Sequence, residues 1–139
     1  MDDFPANSGF SPIPDLRDEA VRQRLGPPAL KAFSQMMVRW RVPDEKAKHL
    51  LALAAETNID YLDPSMLGQE QLLRISYLVG IYKALHTLFS DKLADQWIRL
   101  SNTNAMFGGC RDPLTFMVDG GIEAIRTVRN LLDARCAGN

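Results

Sequence analysis

Residues 69–89 read QEQLLRISYLVGIYKALHTLF, and this stretch decides the fold. Leu72, Ile75, Leu78, Val79, Tyr82, Leu85, Leu88 and Phe89 cover most of the circumference of one helix, the pattern of a central buried helix. Gly80 in its middle costs about 1 kcal/mol relative to alanine. Close packing of a crossing helix is sufficient reason for it. No segment on either side alternates apolar and polar residues as a half-buried strand does. The chain is therefore expected to be all-α, a helical bundle around this spine.

Upstream, Asp15 is placed to cap a short helix over 16–25, with Asp18 and Glu19 favourable in its first turn and Gly26-Pro27-Pro28 as its stop. A second helix over 29–42 presents Ala29, Leu30, Phe33, Met36, Met37 and Trp40 as one apolar stripe. Pro43 fits the first turn of a third helix over 43–54, with Ala47, Leu50, Leu51 and Ala54 inward. A break at Glu56-Thr57-Asn58 and one short turn over 58–62 follow. Residues 1–14, with Pro5, Pro12, Pro14 and Gly9, read as a flexible arm. Downstream, Ser90 and Asp91 open a helix over 91–100 with Leu93 and Trp97 inward. The polar, glycine-containing stretch SNTNAMFGGCRDP then leads to Asp112-Pro113, the cap and first turn of a helix over 114–118. Asp119-Gly120-Gly121 ends it, and a last helix over 122–135 turns Ile122, Ile125, Val128, Leu131 and Leu132 inward.

At 139 residues, with 46% hydrophobic and 24% charged side chains, the chain has the composition of an ordinary globular domain that needs no disulfide or metal to fold. Cys110, Cys136, His49 and His86 show neither C-x-x-C nor H-x-x-x-H spacing, so no metal site is expected. MDDFPANSGFSPIPD has neither the basic nor the apolar region of a signal peptide. No apolar stretch approaches the ~20 residues needed to span a bilayer. The expectation is a cytoplasmic protein without membrane contact, its two thiols reduced.

Gly108-Gly109 lacks the frame of a phosphate-binding loop and follows no strand. A Cys110 nucleophile with His86 as its base is the one enzymatic alternative, but it lacks an orienting third group. Asp91 and Asp95, one helical turn apart, read as a solvated face rather than an acid–base pair. The sequence thus favours a binding protein without cofactor over an enzyme.

The net charge of −1 conceals segments of opposite sign. Residues 1–19 carry Asp2, Asp3, Asp15, Asp18 and Glu19 against Arg17, for −4. Residues 20–55 carry Arg22, Arg24, Lys31, Arg39, Arg41, Lys46 and Lys48 against Asp44 and Glu45, for +5. The remainder sums to −2. A basic helical region supplies either phosphate contacts to DNA or solvated helix faces. Helix 43–54, the break and the following turn have a rough helix-turn-helix layout. Arg39, Arg41, Lys46 and Lys48 are then the candidate phosphate contacts, and Thr57, Asn58 and Tyr61 the candidate base-reading groups. The turn lacks glycine, the reading helix is short, and Asp60 and Asp63 repel phosphate.

RWRVPDEKAKHLL, QLLRISYLVGIYKALHTLF and ADQWIRLSNTNAMFGGCRDPLTFMVDGGIEAIRTVRNLLDA together resemble the Xre/MbcA/ParS-like antitoxins of bacterial type II toxin–antitoxin pairs over residues 29–135. The resemblance is most specific in Arg74-Ile75-Ser76 with Gly80 to Leu85, and in the run Trp97, Asn102, Phe107-Gly108-Gly109, Asp112-Pro113-Leu114, Gly120. It implies an N-terminal Xre-like helix-turn-helix region over 27–66, after an arm and short helix over 1–26. It also implies a C-terminal helical toxin-binding domain over 67–139. The implied function is to bind and block a RES-domain toxin, an enzyme that consumes NAD or transfers ADP-ribose from it, and to regulate its own operon. The implied partners are the cognate toxin, operator DNA and a second copy, within a larger hetero-oligomer. Family members often continue the second helix with a Leu-Gly turn and a polar reading helix. This chain reads LLALAAETNIDYLDP there, a departure that weighs against sequence-specific DNA binding and leaves toxin binding untouched.

Within that frame the loop residues Asn102, Gly109, Arg111 and Pro113 hold a fixed non-regular recognition shape. Met106 and Phe107 are candidate apolar anchors. Arg126, Arg129 and Arg135 are candidates to enter an anion site shaped for a dinucleotide. The alternative for these arginines is pairing with Glu123 and Asp133 on their own helix, at about 0.2–0.5 kcal/mol per pair. A stand-alone helix-turn-helix regulator is the alternative function.

Overall fold

A computed structural model of the chain describes residues 15–138; the arm expected over 1–14 lies outside the described residues. Among these residues every regular element is helical. The first helix, α1, spans Glu19–Arg39 and starts three residues later than expected. Asp18 is its cap, accepting from the Ala20 N–H at 2.9 Å, while Asp15 is occupied by Arg17, whose backbone N–H and Nε both donate to it at 3.0 Å.

The expected stop at Gly26-Pro27-Pro28 does not occur: α1 runs straight through it. The two prolines take away two amide donors, but the carbonyls thereby released, on Gln23 and Arg24, belong to exposed residues. Continuing the helix buries Ala29, Phe33, Met36 and Met37. Gly26 is selected by packing, since a Cβ there would lie 2.3 Å from the Pro64 carbonyl oxygen. The expected boundary between residues 26 and 27 therefore falls inside a continuous helix.

α1 ends in a Schellman arrangement: the Val42 N–H reaches the Met37 carbonyl at 2.9 Å and the Arg41 N–H that of Val38 at 3.1 Å. Arg41 occupies the left-handed position at φ 55, where glycine is usual. α2, Asp44–Leu51, ends the same way. Leu53 N–H bonds to Lys48 O at 2.9 Å, Ala52 N–H to His49 O at 3.2 Å, and Ala52 has φ 57. This closure stops α2 three residues short of the expected end and leaves Ala54 exposed.

Two single turns of 3-10 helix follow, Ile59–Tyr61 and Pro64–Met66, capped by Asn58 and Asp63. The Ser65 backbone N–H and hydroxyl both donate to Asp63 and hold its carboxyl below the usual range. α3, Gln69–Leu88, is the expected spine, with Leu72, Ile75, Leu78, Ile81, Ala84 and Leu85 buried, and it packs on both α1 and α5. α4, Asp91–Gln96, is capped by Ser90 and tightens into a 3-10 turn over Trp97–Arg99. Its inward side is Ala94, Trp97 and Ile98, whereas Leu93, expected inside, is exposed. α5, Pro113–Gly138, is broken at Gly121, whose φ 70, ψ −153 is non-helical, a conformation open essentially to glycine alone. The expected division into two helices is thus present. One apolar cluster joins Ala29, Trp40 and Leu50 to Ile81, Phe107 and Leu132. No described helix is long and apolar enough to cross a membrane.

Candidate functional site

The segment between the Trp97–Arg99 turn and α5 is built from side-chain-to-backbone hydrogen bonds. Asn102 accepts from the Asn104 N–H and Asn104 from the Met106 N–H, each at 2.9 Å. The Asn102 N–H donates to Arg111 O at 3.3 Å, and the Arg111 N–H to Phe107 O at 3.2 Å, so the loop is cross-tied at its base. Asp112 caps α5, accepting from the Thr115 N–H at 2.9 Å and the Thr115 hydroxyl at 2.8 Å. Such local bonds are why Asn and Asp outcompete helix formation here.

Phe107 is not a surface anchor. It is 2% exposed and sits edge-on to Trp97, centroids 6.3 Å apart, and to Phe116, 5.1 Å apart. A large aromatic gains more from this enclosed pocket than from water, and Phe107 thereby pins the loop from beneath. Pro113 is buried as well, and Met106 is half-buried against the same core. What the loop presents is Gly108, Gly109, Cys110 and Arg111, all exposed. Gly108 and Gly109 have φ 73 and φ 92 and open space where a Cβ would stand. Glycine is needed there for backbone conformation alone.

The arginines of α5 have separate surroundings. Arg126 is exposed and pairs with Glu123. Arg129 lies across Gly80, where a Cβ would be 2.5 Å from its Nε. Its guanidinium stands 5.8 Å from the Tyr77 ring centre and pairs with Asp133 at 3.3 Å. Gly80 is therefore the close crossing point expected from the sequence, and Arg129 is a packing residue of the α3–α5 contact. Arg135 is half-buried. Arg111 reaches Asp119 at 3.8 Å, which brings the loop tip to the first half of α5.

In the basic region Arg39, Arg41 and Lys46 are exposed. Lys48 is spent on local structure, its Nζ donating to Ala55 O at 2.8 Å. Asn58 is a cap, accepting from the Asp60 N–H at 3.0 Å, and Thr57 is half-buried. The expected reading helix is a single 3-10 turn bearing Tyr61. The Schellman closure at Ala52 and the caps at Asn58 and Asp63 satisfy the backbone locally, so no α-helix of groove-reading length forms between α2 and α3.

Two clusters escaped the sequence reading. His86 lies between Asp91 Oδ1, 3.0 Å from Nδ1, and Asp95 Oδ1, 3.1 Å from Nε2, with the Tyr82 ring 4.3 Å away. Asp95 is therefore turned onto a neighbour instead of solvent, and both nitrogens of His86 have carboxylate partners. Arg74 is buried. Its Nε and Nη2 donate to Glu70 at 2.9 and 2.8 Å and its Nη1 to Leu50 O at 3.1 Å. It thus joins α3 to the C-terminal end of α2. Acidic residues five and nine positions past His86, across the Ser90 break, were the available signal for the first cluster. For the second, the i,i+4 spacing of Glu70 and Arg74 signalled the ion pair, but nothing local pointed to Leu50. Among the described residues no group of three His, Cys, Asp or Glu side chains is placed to hold a metal. No family model, curated protein or solved structure matches the chain.

Proposed function

We propose that the chain is an antitoxin: a non-enzymatic protein that binds a RES-domain, NAD-consuming toxin and blocks its active site. The supporting observation is the loop tip at Gly108–Arg111. Phe107, the Asn102 and Asn104 caps and the Asp112–Thr115 bonds hold it in one shape, while its own atoms face outward. A pre-shaped exposed loop binds without the ordering cost that a flexible one incurs. Arg111 at the tip and Arg126 on α5, each exposed and held only by a surface carboxylate, Asp119 and Glu123, are the cations that would exchange those partners for an anion-binding pocket.

The test is co-expression with the toxin encoded beside this gene. The toxin is expected to be lethal alone, harmless with the antitoxin, and co-purified with it. Deleting 122–139 is unsuitable, because Ile125, Val128 and Leu132 are core residues. Arg111→Glu and Arg126→Glu, both at exposed positions, should weaken capture without unfolding the chain. Failure of the pair to co-purify refutes the proposal.

Binding to the operator of the same operon is a second reading, favoured by one observation: Arg39, Arg41 and Lys46 are exposed, and none is paired with a described carboxylate. Such contacts go to phosphate and weaken steeply with salt. A mobility shift on the chain's own promoter across a salt series, with Lys46→Glu as control, separates it from the first reading.

A further inference from the structure

His86 stands in the last turn of α3, and three neighbours close on its ring. Asp91 Oδ1 is 3.0 Å from Nδ1 and Asp95 Oδ1 3.1 Å from Nε2, and the Tyr82 ring centre lies 4.3 Å away, its plane tilted by 37°. The side chains of His86 and Asp95 are largely screened from water, at 19% and 25% exposure, while Asp91 is open. An ionised carboxylate only accepts hydrogen bonds, and a neutral imidazole has a single N–H to give. With a carboxylate at each nitrogen, only the imidazolium donates in both directions. Loss of one proton turns a lone pair toward one of the two anions. A cation over the Tyr82 ring adds to the same preference.

The element held in this way is α4. It has six residues, Asp91–Gln96, too few for a helix to persist alone. Asp91 and Asp95 are one turn apart on it, a spacing at which like charges repel, and the imidazolium between them replaces that repulsion by attraction. α4 runs directly into the turn bearing Trp97, whose ring meets Phe107 edge-on beneath the loop tip. The other charged and titratable groups around His86 are few. α1 brings Arg39, which acts on the Tyr82 hydroxyl together with Asp91 and Asp95. Lys83 is on α3 itself and Lys92 beside Asp91 on α4. α5 brings Cys136, whose thiol lies on the Ala84 carbonyl at 3.8 Å, and Arg129 and Asp133, paired with each other at the level of Gly80. α2 meets α3 at the Arg74 end. Burial raises the Tyr82 hydroxyl above 10.0, so it stays neutral where histidine changes charge. We propose that protonated His86 clamps α4 to the end of α3, and that loss of its proton as pH rises frees α4 and, through Trp97, the loop anchored by Phe107. The device does not depend on the toxin reading, and neither toxin nor DNA enters its test.

The experiment is amide hydrogen exchange of the full chain, followed by NMR from about pH 5 to about pH 8, the range over which a histidine changes charge. Rates are expressed as protection factors, which removes the base catalysis of exchange itself. Protection over 91–99 is expected to fall by at least about threefold as pH rises, the size of one partly exposed ion pair. A parallel fall is expected at the Phe107 and Arg111 amides, which close the loop on Asn104 O and Phe107 O. The buried turns of α1 from Ala29 to Met37 should not change. His86→Gln, which cannot titrate, should flatten the profile. The double variant Asp91→Asn/Asp95→Asn, which keeps the histidine and removes both anions, should flatten it too. His49→Gln should leave it as in wild type, since His49 lies on α2 against its own Glu45 carbonyl. A flat wild-type profile, a pH dependence retained in His86→Gln or in the double variant, its loss in His49→Gln, or an equal fall over α1 each overturns the proposal.

Discussion

Arg74→Met tests the packing account most severely. The guanidinium is buried and donates to Leu50 O at 3.1 Å and to Glu70 at 2.8 Å. Methionine preserves most of the aliphatic stem's packing, so the change isolates the polar end. Leaving the buried Leu50 carbonyl without its donor costs about 1–3 kcal/mol. Removing a cation from the C-terminal end of α2 adds about 0.3–1 kcal/mol. Glu70 is more than half exposed and returns to water, so the lost ion pair adds no more than about 0.5 kcal/mol. The total is about 2–4 kcal/mol, which in a domain of this size lowers Tm by roughly 6–16 °C. Urea titration should show a lower midpoint with an unchanged slope. Arg126→Met is the matched control: it also removes an arginine paired along a helix, but an exposed one, and should stay within about 0.5 kcal/mol of wild type. A loss under about 1 kcal/mol in Arg74→Met, or one equal to that of the control, refutes the reasoning.

Four further outcomes rest on backbone conformation and burial. Ala52→Gly should stabilise by about 0.5–1 kcal/mol by relieving a left-handed residue, and Gly121→Ala should destabilise by about 1–3 kcal/mol at a glycine-only conformation; thermal melts of both decide this. Gly80→Ala should be close to neutral, because the gain of about 1 kcal/mol in helix propensity is offset by displacing Arg129 from Tyr77 and Asp133. In an Arg129→Ala background the full gain should emerge in chemical denaturation. Burial raises the Tyr82 hydroxyl above its ordinary 10.0, with Arg39 opposing. The phenol is neutral in both states below pH 10.0, and above it the unfolded chain ionises first. Tyr82 therefore withdraws stability as pH rises beyond that value, and Tyr82→Phe should show a shallower alkaline loss.

The all-helical class, the span of α3, the Ser90 and Asp112 caps and the break at Gly121 were legible in the sequence. Each follows from periodicity or from a residue whose backbone preference acts within a few positions. The misreadings share one cause. Gly26-Pro27-Pro28 reads locally as a stop, yet the core gains more from a continuous α1, and Gly26 is there for Pro64, 38 positions away. Ala52 and Arg41 hold left-handed positions that no propensity assigns to them. Phe107 reads as an exposed loop anchor until Trp97 and Phe116 close around it.

By itself the sequence determined which segments are helical, the span of the central helix and how charge is divided along the chain, because hydrogen bonding and capping act over four or five residues. Only the tertiary structure decided which apolar residues are core and which are surface. It also decided that Arg74, Arg129 and His86 are spoken for, and that Tyr61, Val38 and Met66 are left exposed. Burial and charge pairing depend on what another element brings to the same place, and sequence spacing carries no record of that distance.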